Sequence, residues 1–185
     1  MKEKKTKEIS HSSLIDMCSR WALRHKYSVV AVTEIMVKMT SEVPDVLAFK
    51  ASGQSTLFEI KVDRGDFKSD AKKSFRVNED AGIGLYRYYV VPEGLIQPQE
   101  LPEGWGLLWF RPSDGKCFVK ATSKRFLKRN HRAEAAMLVS ALRRVGSLIV
   151  GRERTTGVSC KAYTIPTTGR TALYLEGESE EDTDV

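Results

Sequence analysis

PDVLAFKASGQSTLFEIK, residues 44–61, predicts two short apolar strands joined by a tight turn. The strands are expected over residues 46–49 and 56–62, and residues 50–55 contain the Gly and Ser that hairpin connections favour. Glu59 and Lys61 lie two apart on the second strand, so their side chains point to the same face. Their many apolar neighbours indicate a strand buried on both faces, where a carboxylate and an ammonium need a specific role.

Asp45 enters the first of these strands, so the hairpin brings its carboxylate towards that of Glu59. Two carboxylates held together repel each other, and a hard divalent cation such as Mg²⁺ relieves that repulsion. Lys61 can touch the water or phosphate held at such a metal. The three residues form a minimal set for metal-assisted phosphodiester hydrolysis. A purely structural origin stays open, because Pro-Asp is a common turn dipeptide and Glu-x-Lys alternation is frequent on exposed strands.

The pattern resembles the PD-(D/E)xK nuclease superfamily, with Pro44-Asp45 and Glu59-Ile60-Lys61 as the two halves of its signature. Three stretches extend the likeness: FEIKVDRGDFKSDAKK, YRYYVVPEGLI and LPEGWGLL, at residues 58–73, 86–96 and 101–108. They resemble a subgroup of phage and mobile-element proteins that is similar to the MmcB-like DNA-repair nucleases. The resemblance implies a metal-dependent nuclease, a Mg²⁺-dependent phosphodiesterase that processes or repairs phage or mobile-element DNA.

The resemblance also implies a set of site residues. Asp45, Glu59 and the backbone carbonyl of Ile60 would bind Mg²⁺, with Mn²⁺ as the alternative ion. Lys61 would orient or help deprotonate the attacking water and offset charge in the transition state. Glu34 matches an extra acid of the resembling family and is a further candidate catalytic residue and ligand. A charge at the edge of a strand is the other interpretation of Glu34.

Asp66 belongs to the Asp-Phe pair of the resembling subgroup. It is either a helix cap or a support for the metal ligands from outside. Glu42, in the polar loop of residues 38–43, is expected to be solvated.

The expected fold class is α/β, with a restriction-endonuclease-like core, a mixed central sheet of four to five strands flanked by helices, and an added C-terminal helix. Strands are also predicted over residues 27–37, 85–91, 106–110 and 117–120, and helices over 10–25, 63–73 and 133–150. The expected organisation is a basic flexible N-terminus (1–9), a nuclease-like domain (10–150), a C-terminal extension (151–175) and an acidic disordered tail (176–185).

The formal net charge is +6, and the tail at 176–185 holds six acids and no base, so the rest of the chain carries +12. A basic body attracts polyanions, and we expect a nucleic acid, DNA in preference to RNA. Solvated helix and loop surfaces are the alternative explanation of the basic runs. The candidate phosphate contacts lie in two runs, Lys68, Lys72, Lys73 and Arg76, then Lys124, Arg125, Lys128, Arg129 and Arg132.

The remaining composition narrows the class of protein. No apolar run has the length of a membrane span and no h-region follows the charged start, so neither an anchor nor a signal peptide is expected. Three scattered cysteines favour reduced thiols and a cytoplasmic protein, and they form no zinc spacing with the histidines. Two competing functions stay open: a catalytically silent nucleic-acid-binding module, and a phage protein that inhibits a host factor. The oligomeric state is undetermined, with a homodimer among the alternatives.

Overall fold

The structure, a computed structural model, describes residues 9–25, 28–78, 80–111, 113–145, 147–152 and 160–165. The elements in chain order are α1 (His11–His25), β1 (Ser28–Thr33), β2 (Val46–Lys50), β3 (Ser55–Ile60), α2 (Arg64–Asp70), α3 (Ser74–Val77), β4 (Tyr86–Pro92), a 3-10 helix (Pro98–Glu100), β5 (Gly106–Phe110), β6 (Cys117–Ala121), α4 (His131–Val145), β7 (Ser147–Arg152) and β8 (Cys160–Ile165).

The predicted hairpin forms the middle of a six-stranded mixed sheet in which every strand pairs with its neighbours in sequence order. Strands β1, β2 and β3 are antiparallel, β3, β4 and β5 are parallel, and β6 returns antiparallel to β5. The α/β class is therefore confirmed, but the expectation of four to five strands is wrong. The turn at residues 113–115 folds β6 back onto β5, where Gly115 N donates to Arg111 O at 2.9 Å.

One face of the sheet is covered by α1. The helix buries an apolar stripe spaced three to four residues apart, as an amphipathic helix does. Alternate positions of the strands face this stripe because side chains along a strand alternate between its two faces. The two layers form one apolar core that includes Leu14, Ile15, Cys18 and Ala22 from the helix, and Val46, Ala48, Phe58, Ile60, Tyr88, Val90, Leu108 and Phe110 from the strands.

The intervening strand positions face the other side of the sheet. Leu57, Glu59 and Tyr89 are all buried there. Phe67 of α2 packs edge-on against Tyr89 with ring centroids 4.9 Å apart, and Trp105 stacks on Tyr89 at 4.5 Å. Both faces are therefore covered, as the continuous apolar character of β3 predicts, and Glu59 points away from α1.

Three element boundaries differ from their predictions. Strand β1 ends at Thr33 and not at residue 37, because Glu34 has a left-handed backbone (φ +51°) that ends the extended chain. The predicted helix to residue 73 is two short helices, α2 and α3. Helix α4 ends at Val145 and strand β7 begins at Ser147, so the predicted end at residue 150 is wrong.

The chain forms two compact units, Met1–Leu138 and Val139–Val185. The first contains the six-stranded sheet, and the second contains the antiparallel hairpin of β7 and β8. The predicted domain limits stay predictions. The acidic tail, most of the extension at 151–175 and nearly all of the N-terminal segment lie outside the described residues. No helix in the described segments is long and apolar enough to cross a membrane.

Candidate functional site

The hairpin places Asp45 beside Glu59. Val46 pairs with Phe58 in the antiparallel register, so Asp45 lies opposite Glu59 at the end of the ladder. Asp45 Oδ2 accepts a hydrogen bond from the backbone N–H of Ile60 at 2.7 Å, and its Oδ1 lies 3.4 Å from His11 Nε2. The Asp45 side chain is 16% exposed, so solvent and small ions reach its carboxylate.

Glu59 and Lys61 form a buried contact at the end of β3. Their side chains are 4% and 9% exposed, and Lys61 Nζ donates to Glu59 Oε2 at 3.2 Å. The Lys61 backbone is fixed by a 3.0 Å hydrogen bond from its N–H to Val90 O. The structure thus brings together the three side chains, Asp45, Glu59 and Lys61, that the sequence predicts to share a site.

A buried charge network surrounds this group and was not predicted. Arg76, whose side chain is 4% exposed, forms ion pairs with Glu42, with Glu59 Oε1 at 3.0 Å and with Asp70 Oδ2 at 2.8 Å. Its guanidinium carbon lies 4.8 Å from the ring centroids of both Phe75 and Trp105. Each buried charge therefore has an opposite charge beside it, as burial requires.

Asp70 is the second centre of the network. Its side chain is fully buried and accepts a hydrogen bond from Tyr89 OH at 2.7 Å. Lys73 Nζ and Lys61 Nζ lie 2.7 and 3.6 Å from its Oδ1. We refer to Glu42, Glu59, Lys61, Asp70, Lys73, Arg76 and Tyr89 below as the buried network.

The sequence contains a weak signal for Asp70 and almost none for the other missed residues. Asp70 lies three residues after Phe67 on α2, and the buried Phe67 shows that this helix face meets the sheet. Glu42 sits in a short polar loop, so the expectation that it is solvated is natural but wrong: it is 1% exposed and also accepts from Ile83 N at 2.9 Å. Its partner Arg76 is 34 residues away.

Several predicted residues lie apart from the site. The Glu34 side chain is exposed, and the residue is tied to the hairpin through its N–H, which donates to Pro44 O at 2.9 Å. Asp66 is exposed, and the α2 cap is Asp63, whose Oδ1 accepts from Asp66 N at 2.9 Å. Asp70, and not Asp66, contacts the predicted site from α2, with its Oδ1 3.6 Å from Lys61 Nζ.

The predicted phosphate contacts divide into two sets. Arg76 is committed to the buried network, and Arg129 is 10% exposed with its Nε 3.1 Å from Glu134 Oε1. Neither guanidinium projects into solvent, because each compensates a buried carboxylate. Lys73 is half-exposed and contacts Asp70. The remaining members are exposed and free to meet a polyanion from solvent: Lys68, Lys72, Lys124, Arg125, Lys128 and Arg132.

Burial sets the electrostatics of the carboxylates. It raises the pKa of Glu59 to about 7, against the opposing charges of Arg76 and Lys61, and the charge of Asp45 adds to the rise. Burial also raises the pKa of Glu42. It works to raise the pKa of Asp70 as well, but Arg76 and Lys61 outweigh it and hold that pKa well below its usual range.

Lys61 is an ammonium in this environment. Burial favours the neutral amine, but the carboxylates of Glu59 and Asp70 outweigh it, and Asp45 adds to them, so the pKa of Lys61 is raised. A cation bound to the carboxylates would work in the opposite direction. In the arrangement described, Lys61 acts as a hydrogen-bond donor and a positive charge.

The residues present fit a hard divalent cation that keeps most of its waters. Asp45 and Glu59 supply the oxygen donors that Mg²⁺ prefers, and the charge of Asp45 raises the pKa of Glu59, a repulsion that a cation would relieve. Glu59 Oε1 is buried without a hydrogen bond of good geometry, although Arg76 Nη2 lies 3.0 Å away. Within the described residues no three or more His, Cys, Asp or Glu side chains converge as a metal cage.

Comparison with known proteins gives a fold and no family. No family model matches the chain, and no curated protein matches it. Among solved structures, it is similar to the SPO1766 protein of unknown function from Silicibacter pomeroyi, with a TM-score of 0.55 and 18% sequence identity. The match covers 75% of this chain and 90% of the Silicibacter chain. The chain therefore has the same overall fold as SPO1766.

Proposed function

We propose that the protein is a metal-dependent nuclease that hydrolyses phosphodiester bonds in DNA. One observation supports this most: Glu59 and Lys61 are buried in contact at 3.2 Å, in a hairpin whose register sets Asp45 opposite Glu59. A Glu-x-Lys pair with a purely structural role is expected on the solvent-exposed face of a strand, where water solvates both charges. Here both charges carry the cost of burial, and a second carboxylate, that of the partly exposed Asp45, lies nearby.

Each residue has a distinct role in this proposal. Asp45 and Glu59 would hold Mg²⁺ or Mn²⁺, which supplies Lewis-acid polarisation of the phosphoryl group and acidifies a bound water. Asp45 is kept in place by the Ile60 N–H and His11, and Glu59 by Lys61 and Arg76. The Lys61 ammonium donates to the non-bridging oxygens of the scissile phosphate as negative charge develops there.

The restriction-endonuclease-like core and the role of DNA processing in a phage or mobile element are part of the same proposal. Their support is the mixed α/β sheet with the signature residues at the β2–β3 hairpin. Exposed cations at Lys68, Lys72, Lys124 and Lys128 would contact phosphates on either side of the cleaved bond.

A catalytically silent nucleic-acid-binding module is the second candidate, and a specific observation favours it. Lys61 and Arg76 contact both carboxylate oxygens of Glu59. A cation must compete with these partners for Glu59, and the charge of Arg76 opposes its approach. A chain that has lost catalysis would keep such an internally neutralised network and still present its exposed cations to DNA.

Cleavage assays separate the two candidates. Linear, circular, single-stranded and branched DNA are incubated with Mg²⁺, Mn²⁺ or EDTA, using wild-type protein, Asp45→Asn and Glu59→Gln. The nuclease proposal requires metal-dependent cleavage by the wild type that both variants lose. Binding of DNA by all three proteins without cleavage under any metal condition would establish the binding module instead.

A further inference from the structure

A cavity of about 320 Å³ lies between the turn that precedes β5 and the segment that follows β6. Its cationic lining comes from Lys124, Arg125 and Lys128, and its apolar lining from Phe126 and Leu127. Glu103 and Gly104 form the opposite wall. This volume is at the lower end of the range for small-molecule sites.

The cationic wall is irregular in conformation but fixed in position. Residues 122–130 form neither helix nor strand, yet three backbone hydrogen bonds of 2.8 Å attach them to the rest of the unit: Lys124 N to Gly104 O, Phe126 N to Leu85 O, and Asn130 N to Gly82 O. A loop held at three points presents its side chains in a preformed arrangement. Binding residues are found disproportionately on such loops.

The Phe126 ring is held between the side chains of Arg87 and Trp105. The guanidinium carbon of Arg87, a residue that is only 1% exposed, lies 4.2 Å from the Phe126 ring centroid, and Trp105 meets the ring edge-on at 6.3 Å. Gly104 has a left-handed backbone (φ +79°), and a Cβ added there would lie 3.0 Å from the ring. A side chain at position 104 would therefore crowd the aromatic lining of the cavity.

We propose that this cavity binds an unpaired nucleotide, with the base against Phe126 and Leu127 and the phosphate among Lys124, Arg125 and Lys128. Cations beside fixed apolar surface are the combination by which proteins hold single strands. Leu127 is 70% exposed, which leaves its apolar surface available to a base.

The occupant is a nucleotide of a single strand and not of a duplex. Bases inside a duplex are stacked and paired, so a base enters a protein cavity only after it has lost its stacking and pairing, which costs free energy. The inference rests on the proposed nuclease function for its ligand, DNA, and narrows the substrate to strands with unpaired nucleotides.

The aromatic lining also connects the cavity to the buried network. Trp105, in contact with Phe126, stacks on Tyr89 at 4.5 Å and lies under the Arg76 guanidinium. Tyr89 OH in turn donates to Asp70. The side chains that support the cavity, and that would support any DNA strand bound in it, therefore pack against those of the buried network.

The test is fluorescence anisotropy in EDTA with labelled ten-nucleotide oligothymidine, a duplex of the same length, and free thymidine monophosphate as competitor. We expect single strands to bind at least about fivefold more tightly than the duplex. Leu127→Glu should remove at least about tenfold of the single-strand affinity. Val119→Glu is the matched control, because Val119 is an exposed apolar residue on β6 that does not line the cavity. It should change affinity by less than about twofold.

Equal binding of duplex and single strand, or equal effects of the two Glu variants, would overturn the inference. Competition by the mononucleotide at the oligonucleotide's own affinity would also overturn it, since the ligand would then be a free nucleotide. Cleavage is measured separately with Mg²⁺. Preferential binding of single strands without cleavage would overturn the nuclease function and leave the cavity assignment intact. Cleavage without preferential binding of single strands would overturn the cavity assignment and leave the nuclease function intact.

Discussion

The buried network and the loop at residues 124–128 both contain Lys and Arg side chains, but these are buried in the network and exposed in the loop. In the network, Lys61 and Arg76 are less than 10% exposed and each contacts at least two carboxylates. In the loop, Lys124 is 74% exposed, and the carboxylate it contacts, that of Glu103, is itself 91% exposed. The first arrangement fixes positions at a high desolvation cost, whereas the second supplies attraction that salt screens. Net charge alone cannot distinguish these two uses of a basic residue.

The largest expected effect tests whether the network performs chemistry. Lys61→Ala should lower the cleavage rate by about two to four orders of magnitude while DNA affinity changes little, because one positioned donor is lost but the exposed cations remain. Lys61→Arg keeps the charge but not the shape, so it should recover only a small part of the rate. Single-turnover cleavage and anisotropy on the same substrate measure the two quantities. A parallel loss of binding and cleavage would mean that Lys61 belongs functionally with the exposed cations.

The next effect tests whether the network stabilises the fold. Arg76→Met should lower the free energy of unfolding by about 3–5 kcal/mol, because it leaves Glu42, Glu59 and Asp70 buried without their shared counter-ion. Lys72→Met, four residues earlier and exposed, is the control and should shift stability by less than about 0.5 kcal/mol. Urea denaturation at pH 7 measures both variants. Equal stabilities would show that the network is solvated in solution.

A smaller effect concerns pH. The pKa of Glu59 rises from its usual 4.5 to about 7 on folding, so between these values the folded chain binds more protons than the unfolded chain. Stability contributed by this group is complete below pH 4.5 and is lost as pH rises through 7. We expect wild-type stability to fall by about 1–3 kcal/mol between pH 5 and 8 relative to Glu59→Gln, which cannot titrate there.

Denaturation at several pH values measures this difference. Mg²⁺ should raise the melting temperature more at pH 8 than at pH 6, since it binds the ionised carboxylate. A melting temperature that is independent of metal at both pH values would count against the proposed ligands. A difference between wild type and Glu59→Gln that does not vary with pH would contradict the assignment of the titration to Glu59.

The smallest effect separates two adjacent residues of one basic run. Lys128→Ala should reduce the slope of log affinity against log salt by about one unit and leave stability unchanged, because Lys128 is an exposed phosphate contact. Arg129→Ala should instead destabilise the fold, since Arg129 pairs with the buried Glu134, whose Oε1 also accepts from Gly84 N at 2.7 Å. Salt titrations of binding and thermal melts distinguish the two. Identical behaviour of the two variants would remove the distinction between exposed and buried cations.

Sequence reasoning recovers the local part of this site and misses the non-local part. Asp45, Glu59 and Lys61 lie within 17 consecutive residues, and the alternation and turn chemistry of one hairpin are enough to place them together. Glu42 lies in the loop between β1 and β2, Asp70 ends α2, and Arg76 lies on α3, so their contacts depend on tertiary packing. No periodicity of the sequence indicates which charged residue of a polar segment is buried. The sequence likewise predicts six strands but a sheet of only four to five, because which strands join one sheet is a tertiary property.

The pairing pattern of the sheet bears on how the chain folds. Strands β2 and β3 are joined by a four-residue turn, and an isolated hairpin of this kind closes in about 1–10 μs. The parallel pairing of β3 with β4 must first order the 25 residues between Ile60 and Tyr86, and such non-local contacts form slowly. We therefore expect Asp45 and Glu59 to meet early, while Tyr89 and Arg76 arrive only as the parallel half assembles. During that interval Lys61 would face the charges of Asp45 and Glu59 without Arg76. The rate of folding should therefore rise with ionic strength or with added divalent cation.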